Sequence, residues 1–182
     1  MILTASRTVQ ANRIISQELP PVHISVDSSF TYLGGPHFQL HGIAQAEQHL
    51  FVIVNQQQVI QRLVWVQFEG FLPDNQRSYH YPVTQTLELG GAQFIYDVST
   101  VDIEHEVARR PHSDLAAAQA FLQQSHGYYL VGEVQAQRFV HLIGTDKRNE
   151  LMIMYGESRS EAANTPMTSA ERALASFTVQ FF

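Results

Sequence analysis

The stretch 47-EQHLFVIVNQQQVIQRLVWVQFEGF-71 decides the fold. Two runs rich in Val, Ile, Phe and Trp, Glu47–Val54 and Val59–Phe71, flank the polar spacer Asn55–Gln58. That is the pattern of two β-strands joined by a short turn. A two-residue or a symmetric four-residue loop puts Val54 opposite Val59, Ile53 opposite Ile60, Phe51 opposite Arg62 and His49 opposite Val64. Strand side chains alternate between faces. One face therefore carries Glu47, His49, Phe51 and Ile53 with Ile60, Arg62, Val64, Val66 and Phe68. The other carries Gln48, Leu50, Val52 and Val54 with Val59, Gln61, Leu63, Trp65, Gln67 and Glu69. Both faces are apolar near the turn and become polar toward Glu47 and Glu69. The hairpin is expected at the centre of a sheet, covered on both sides near its turn.

N-terminal to this hairpin, residues 1–21 are polar and end in Pro20-Pro21, which suits either an arm or an edge segment. Val22–Val26 is the first expected strand. Phe30–Leu33 leads to the breaker Gly34-Gly35-Pro36, and Phe38–Ile43 follows. C-terminal to it, Gln85–Leu89 and Ala92–Val98 should pair through Gly90-Gly91, since glycine supplies the positive φ of a tight hairpin turn. Residues 99–110 are acidic and then basic, and read as surface. The clearest helix covers about 114–125. Ser113 is its cap, Asp114 complements the dipole, Gly127 stops it, and Leu115, Ala118, Phe121 and Leu122 form its apolar stripe. Val134–Ile143 and Glu150–Tyr155 make a third hairpin, and 157–167 reads as a loop. Thr168 with Glu171 is a capping box for a short helix over about 169–176. Phe177–Phe182 closes the chain as a strand or docked tail. The expected fold is α+β: one domain over 1–182, with a curved, mainly antiparallel sheet of about six to eight strands built from hairpins.

Composition narrows the functional classes. Hydrophobic residues make up 45% and charged residues 15% of 182, which fits a packed core rather than disorder. With no cysteine, disulfides, thiolate metal sites and a thiol nucleophile are excluded. Formal net charge is −6, and Lys147 is the only lysine. No basic stripe exists to displace counterions from phosphates, so no nucleic-acid partner is expected. The N-terminal residues lack a basic segment followed by an apolar run. The longest apolar stretches, such as Leu50–Val54, are too short to cross a bilayer. A cytoplasmic protein with no membrane association is the expectation.

Several catalytic signatures fail on inspection. The double glycines at 34–35 and 90–91 lack the spacing and lysine of a phosphate loop, and no serine sits in a Gly-x-Ser-x-Gly elbow. His105-Glu106-Val-Ala-Arg109 begins like a zinc-protease helix but has Arg where the second histidine must stand. His37 and His41, read as strand residues, lie about 13 Å apart, too far to share a metal. No cofactor or metal is expected. Glu69 is a carboxylate in an apolar strand, which should pair with an arginine, Arg138 or Arg62 being candidates, or mark a pocket; its place beside Gly70 favours an exposed strand end over a pocket. Tyr79 and Tyr81 read as lids on the core.

The candidate ligand site is the first hairpin face. Glu47, His49 and Arg62 would form its polar wall, and Phe51, Val64, Val66 and Phe68 its apolar lining. A carboxylate, an imidazole and a guanidinium on one apolar face suit a small anion or proton transfer. The competing structural reading has this face closed by the 114–125 helix. The leading functional reading is a non-catalytic binding domain for a small, partly apolar ligand. Its rivals are an interaction or homo-oligomerisation module using a sheet edge or the aromatic C-terminus, and an enzyme using a His–Glu pair.

Overall fold

A computed structural model describes residues 7–82, 85–162 and 166–182. The chain begins with strands β1 (Arg7–Gln10), β2 (Arg13–Ser16), β3 (Val22–Val26), β4 (Thr31–Gly34) and β5 (His37–Leu40). The long hairpin β6 (Ala44–Val54) and β7 (Ile60–Phe71) follows, then β8 (Thr86–Leu89) and β9 (Ala92–Asp102). Helices α1 (Ile103–Arg109) and α2 (Asp114–His126) precede β10 (Glu133–Ile143) and β11 (Asn149–Ser158). Helices α3 (Arg159–Ala162) and α4 (Ser169–Ser176) lead to β12 (Phe177–Phe181).

The fold is α+β, with antiparallel ladders throughout both sheets. The larger, open sheet has eight strands in the order β4-β6-β7-β11-β10-β9-β8, with β5 also paired to β6. A second sheet, β1-β2-β3-β12, joins the two ends of the described chain. It packs Ile14, Val22, Ile24 and Phe177 against Phe51, Val64, Phe139, Ile153 and Tyr155 of the larger sheet. The opposite face of that sheet packs Leu50, Leu63, Trp65 and Val140 under Ile103 of α1 and Ala118 and Leu122 of α2. Two apolar faces on one central hairpin thus give three layers: sheet, sheet and helices. The helix at 114–126 covers the opposite face from the one the competing reading assigned it, and the second sheet closes the Phe51–Val64 face instead.

The hairpin register differs from the expectation by two residues. Phe51 pairs with Val64 and His49 with Val66. Asn55 is the cause at the turn: its Oδ1 accepts the N–H groups of Gln57 and Val59, each at 3.0 Å. Ile60 donates its N–H to Tyr129 O at 2.9 Å, drawing the start of β7 toward the segment after α2. The ladder shifts between Val54–Ile60 and Ile53–Arg62, leaving Gln61 as a bulge. A two-residue shift preserves face membership, because the side-chain period is two. Only the bulge changes it, moving Ile60 to the helix-covered face.

Several expected elements are present. Ser113 Oγ accepts Ala116 N–H at 3.2 Å, and Gly127 takes φ 67° to stop α2. Thr168 and Glu171 form their reciprocal box at α4. Gly90 and Gly91 turn β8 into β9 with φ 60° and 84°. Residues 7–16 take the edge-segment alternative, as a hairpin, and two readings change. Residues 103–109 form a helix capped by Asp102, whose Oδ1 accepts His105 N–H at 3.0 Å. Within the expected 157–167 loop, Glu157 and Ser158 end β11 and 159–162 are helical, while 163–165 lie outside the described residues. Among the described residues no helix is long and apolar enough to cross a membrane.

Candidate functional site

The seven residues read from the hairpin face fall into three groups. Phe51, Val64, Val66 and Phe68 are buried in the core between the sheets. Glu47 and His49 stay together, two apart on β6: Glu47 Oε1 lies 2.8 Å from His49 Nε2. Arg62 does not join them. The observed register puts Glu47 across from Phe68, and Arg62 lies six residues from Phe68 on the same strand, about 20 Å away.

Two partners of Glu47 and His49 were not legible in the hairpin itself. Tyr32 Oη lies 2.9 Å from His49 Nδ1, and Arg7 Nη1 donates to Glu47 Oε2 at 2.6 Å. The Arg7 guanidinium also sits 3.8 Å over the Phe68 ring. Burial pushes the Glu47 carboxyl upward, but the hydrogen bond from His49 and the charge of Arg7 outweigh it and hold the group below its ordinary range. The result is a chain, Tyr32–His49–Glu47–Arg7, in which the imidazole is hydrogen-bonded at both nitrogens. Such a chain fixes a ring and can pass a proton along it.

The helix-covered face carries a larger opening. A cleft of about 570 Å³ lies between the sheet and helices α1 and α2. Its origin is a row of small side chains across the sheet: Leu63 pairs with Gly156, Gly156 with Ala136, and Ala136 with Ser99. With three small residues in four positions, the floor sinks beneath the helices. The adjacent row, Trp65–Met154–Arg138–Asp97, supplies bulk and charge. Arg138 donates Nη2 to Asp97 Oδ2 at 2.6 Å, so that pair enters the cleft already neutralised. Leu115, Leu130 and Val134 complete the apolar wall, with His105, Glu106 and Arg110 at the α1 side.

Beside the cleft, on the same sheet face, β7 and β11 place two buried carboxylates directly opposite each other, Glu69 and Glu150. Tyr79 donates to Glu69 Oε1 and Tyr81 to Glu150 Oε2, each at 2.7 Å. Gln67 donates to Glu69 Oε2 at 2.7 Å, and Gln48 links Gln67 to the Asp114 carbonyl at the start of α2. Neither expected arginine reaches Glu69, and its side chain is buried rather than exposed, while Gly70 and Phe71 beyond it are half-buried. Burial, reinforced by the neighbouring Glu69, pushes the Glu150 carboxyl up to about 8. Burial also raises Glu69 against the opposing pull of its Tyr79 and Gln67 hydrogen bonds.

A second cleft, about 360 Å³, opens at the Arg62 end of β7 between Phe30 and α4. Neither cleft is lined by Glu47 or His49. Among the described residues no group of three or more His, Asp or Glu side chains is placed to hold a metal ion. No family model matches the chain, and neither a curated protein nor a solved structure is similar to it.

Proposed function

We propose that the chain is a non-catalytic binding domain for a small, partly apolar ligand, held in the cleft beneath α1 and α2. The observation that carries this reading is the depressed row Leu63–Gly156–Ala136–Ser99 within a 570 Å³ cleft. That volume falls in the range of small-molecule sites, which combine apolar lining with a few polar groups. Here Trp65, Met154 and Leu115 would hold the apolar part. Ser99, Thr100 and the neutralised Arg138–Asp97 pair would orient polar atoms.

Trp65 is the only tryptophan and lies in the cleft floor, so it reports occupancy. The neutral probe N-phenyl-1-naphthylamine should quench Trp65 emission by energy transfer, saturating at one equivalent. Ser99→Phe, placed at an exposed position of the cleft lining, should weaken that binding at least tenfold without altering the circular dichroism spectrum. Unsaturable transfer, or equal affinity in the variant, would refute the reading. A second reading, proton transfer at His49, is favoured by the Tyr32–His49–Glu47 chain, whose Tyr32 end is half-exposed.

A further inference from the structure

Arg62 is held in place by neutral partners. Its Nε donates to Tyr155 Oη at 2.9 Å and its Nη2 to Ser176 Oγ at 3.1 Å. The rings of Phe30 and Tyr155 lie 5.3 and 5.5 Å from Cζ. A guanidinium has five N–H donors, and these two bonds leave three with no acceptor among the described residues. Nor does any described carboxylate come within ion-pair distance. The carboxylates nearby are engaged elsewhere. Asp27 accepts both the N–H and the hydroxyl of Ser29. Glu157 takes the Nε and Nη2 donors of Arg172 at 2.7 and 2.5 Å. Arg62 lines the 360 Å³ cleft, beside Phe30, Met167 and Ala175.

A half-buried cation with no ion-pair partner among the described residues is costly, and Asp27 offsets its charge only from a distance, without a hydrogen bond to it. The remaining donors form the planar fork that a carboxylate accepts in bidentate fashion. We infer that this second cleft binds a small monocarboxylate bearing a short apolar group, its carboxylate on Arg62 and its apolar part against Phe30, Met167 and Ala175. Asp27 on the same rim repels a second negative charge, so a monoanion is preferred to a dianion. At about 30 Å³ per water-sized group the space admits roughly a dozen heavy atoms. This site is separate from the helix-covered cleft and does not depend on it.

Titration calorimetry with sodium hexanoate, 1-hexanol and inorganic phosphate tests the assignment. Hexanoate should bind at one site, at least tenfold more tightly than hexanol of similar length and than phosphate. Arg62→Gln should weaken hexanoate at least tenfold. Should that variant fail to fold, Ala175→Phe decides. It sits on an exposed helix position, leaves the partners of Arg62 untouched, and should block the cleft with a similar loss. Equal binding of hexanol would overturn the role of the charge, and tighter binding of phosphate the ligand class. Undiminished binding of hexanoate by folded Arg62→Gln or by Ala175→Phe would overturn the location.

Discussion

Replacing Glu150 by Gln should make the protein more stable, and only above mildly acidic pH. Glu150 is 3% exposed and faces Glu69 across the β7–β11 ladder. Its carboxyl rises from an ordinary 4.5 to about 8. Between those values the folded chain keeps a proton that the unfolded chain has released. The unfolded state binds fewer protons, so stability falls as pH rises. The contribution is fully present below pH 4.5, declines through neutrality, and levels off above 8. Each pH unit in that window is worth ~1.4 kcal/mol for one proton, which amounts to about 3 kcal/mol lost by pH 7. Glu69, also raised by burial, adds to the decline with the same sign. Glutamine mimics the protonated acid: it keeps an acceptor for Tyr81 Oη and cannot ionise. Urea unfolding of both proteins at pH 5, 6, 7 and 8 is the assay. Glu150→Gln should match the parent within about 1 kcal/mol at pH 5 and exceed it by about 3–5 kcal/mol at pH 8. Parallel stability profiles from pH 5 to 8, or a variant less stable at pH 8, would refute the reasoning.

Two substitutions probe the opposite face of the sheet. Val64→Asp puts a charge at a fully buried position beside Phe51 and should cost at least ~3 kcal/mol in urea unfolding at pH 7. A loss under 1 kcal/mol would mean that this face is open to water. Glu47→Gln leaves the Arg7 guanidinium, 7% exposed at its side chain, without its counter-charge, and should cost about 2–4 kcal/mol at pH 7. Because Glu47 is held below its ordinary 4.5, the advantage it confers is present above that value and fades as pH falls through the lower folded-state value. The gap between the two proteins should narrow below pH 4, and a constant gap down to pH 3 would contradict the ion pair.

What the sequence made legible is what short-range chemistry determines. The runs at 47–54 and 59–71 carry the strongest strand signal in the chain, and their alternation separates Phe51 and Val64 from Leu50 and Trp65. Ser113, Gly127, Thr168 and Glu171 marked helix ends because a cap acts within one turn. The register slipped because its determinants, the Asn55 carboxamide and the Tyr129 carbonyl, are a turn detail and a contact 69 residues from Ile60. The second sheet has no local signature, because β12 pairs with β3 across most of the chain. Asp102, Glu104 and Glu106 alternate as on a strand, yet Asp102 caps a helix. The helix-covered cleft had no local signal at all. Gly156, Ala136 and Ser99 become a row only when three separate strands are aligned. Arg7 carries no local signal for the same reason, standing 40 residues from Glu47.

The central claim, a small partly apolar ligand in the helix-covered cleft, is tested most directly by methionine-methyl NMR. Met152 and Met154 line that cleft, whereas Met167 lines the other one. On titration with N-phenyl-1-naphthylamine, the aromatic ring currents should move the Met152 and Met154 methyl resonances saturably while Met167 stays fixed. Static Met152 and Met154 signals at saturating probe, or movement confined to Met167, would contradict it.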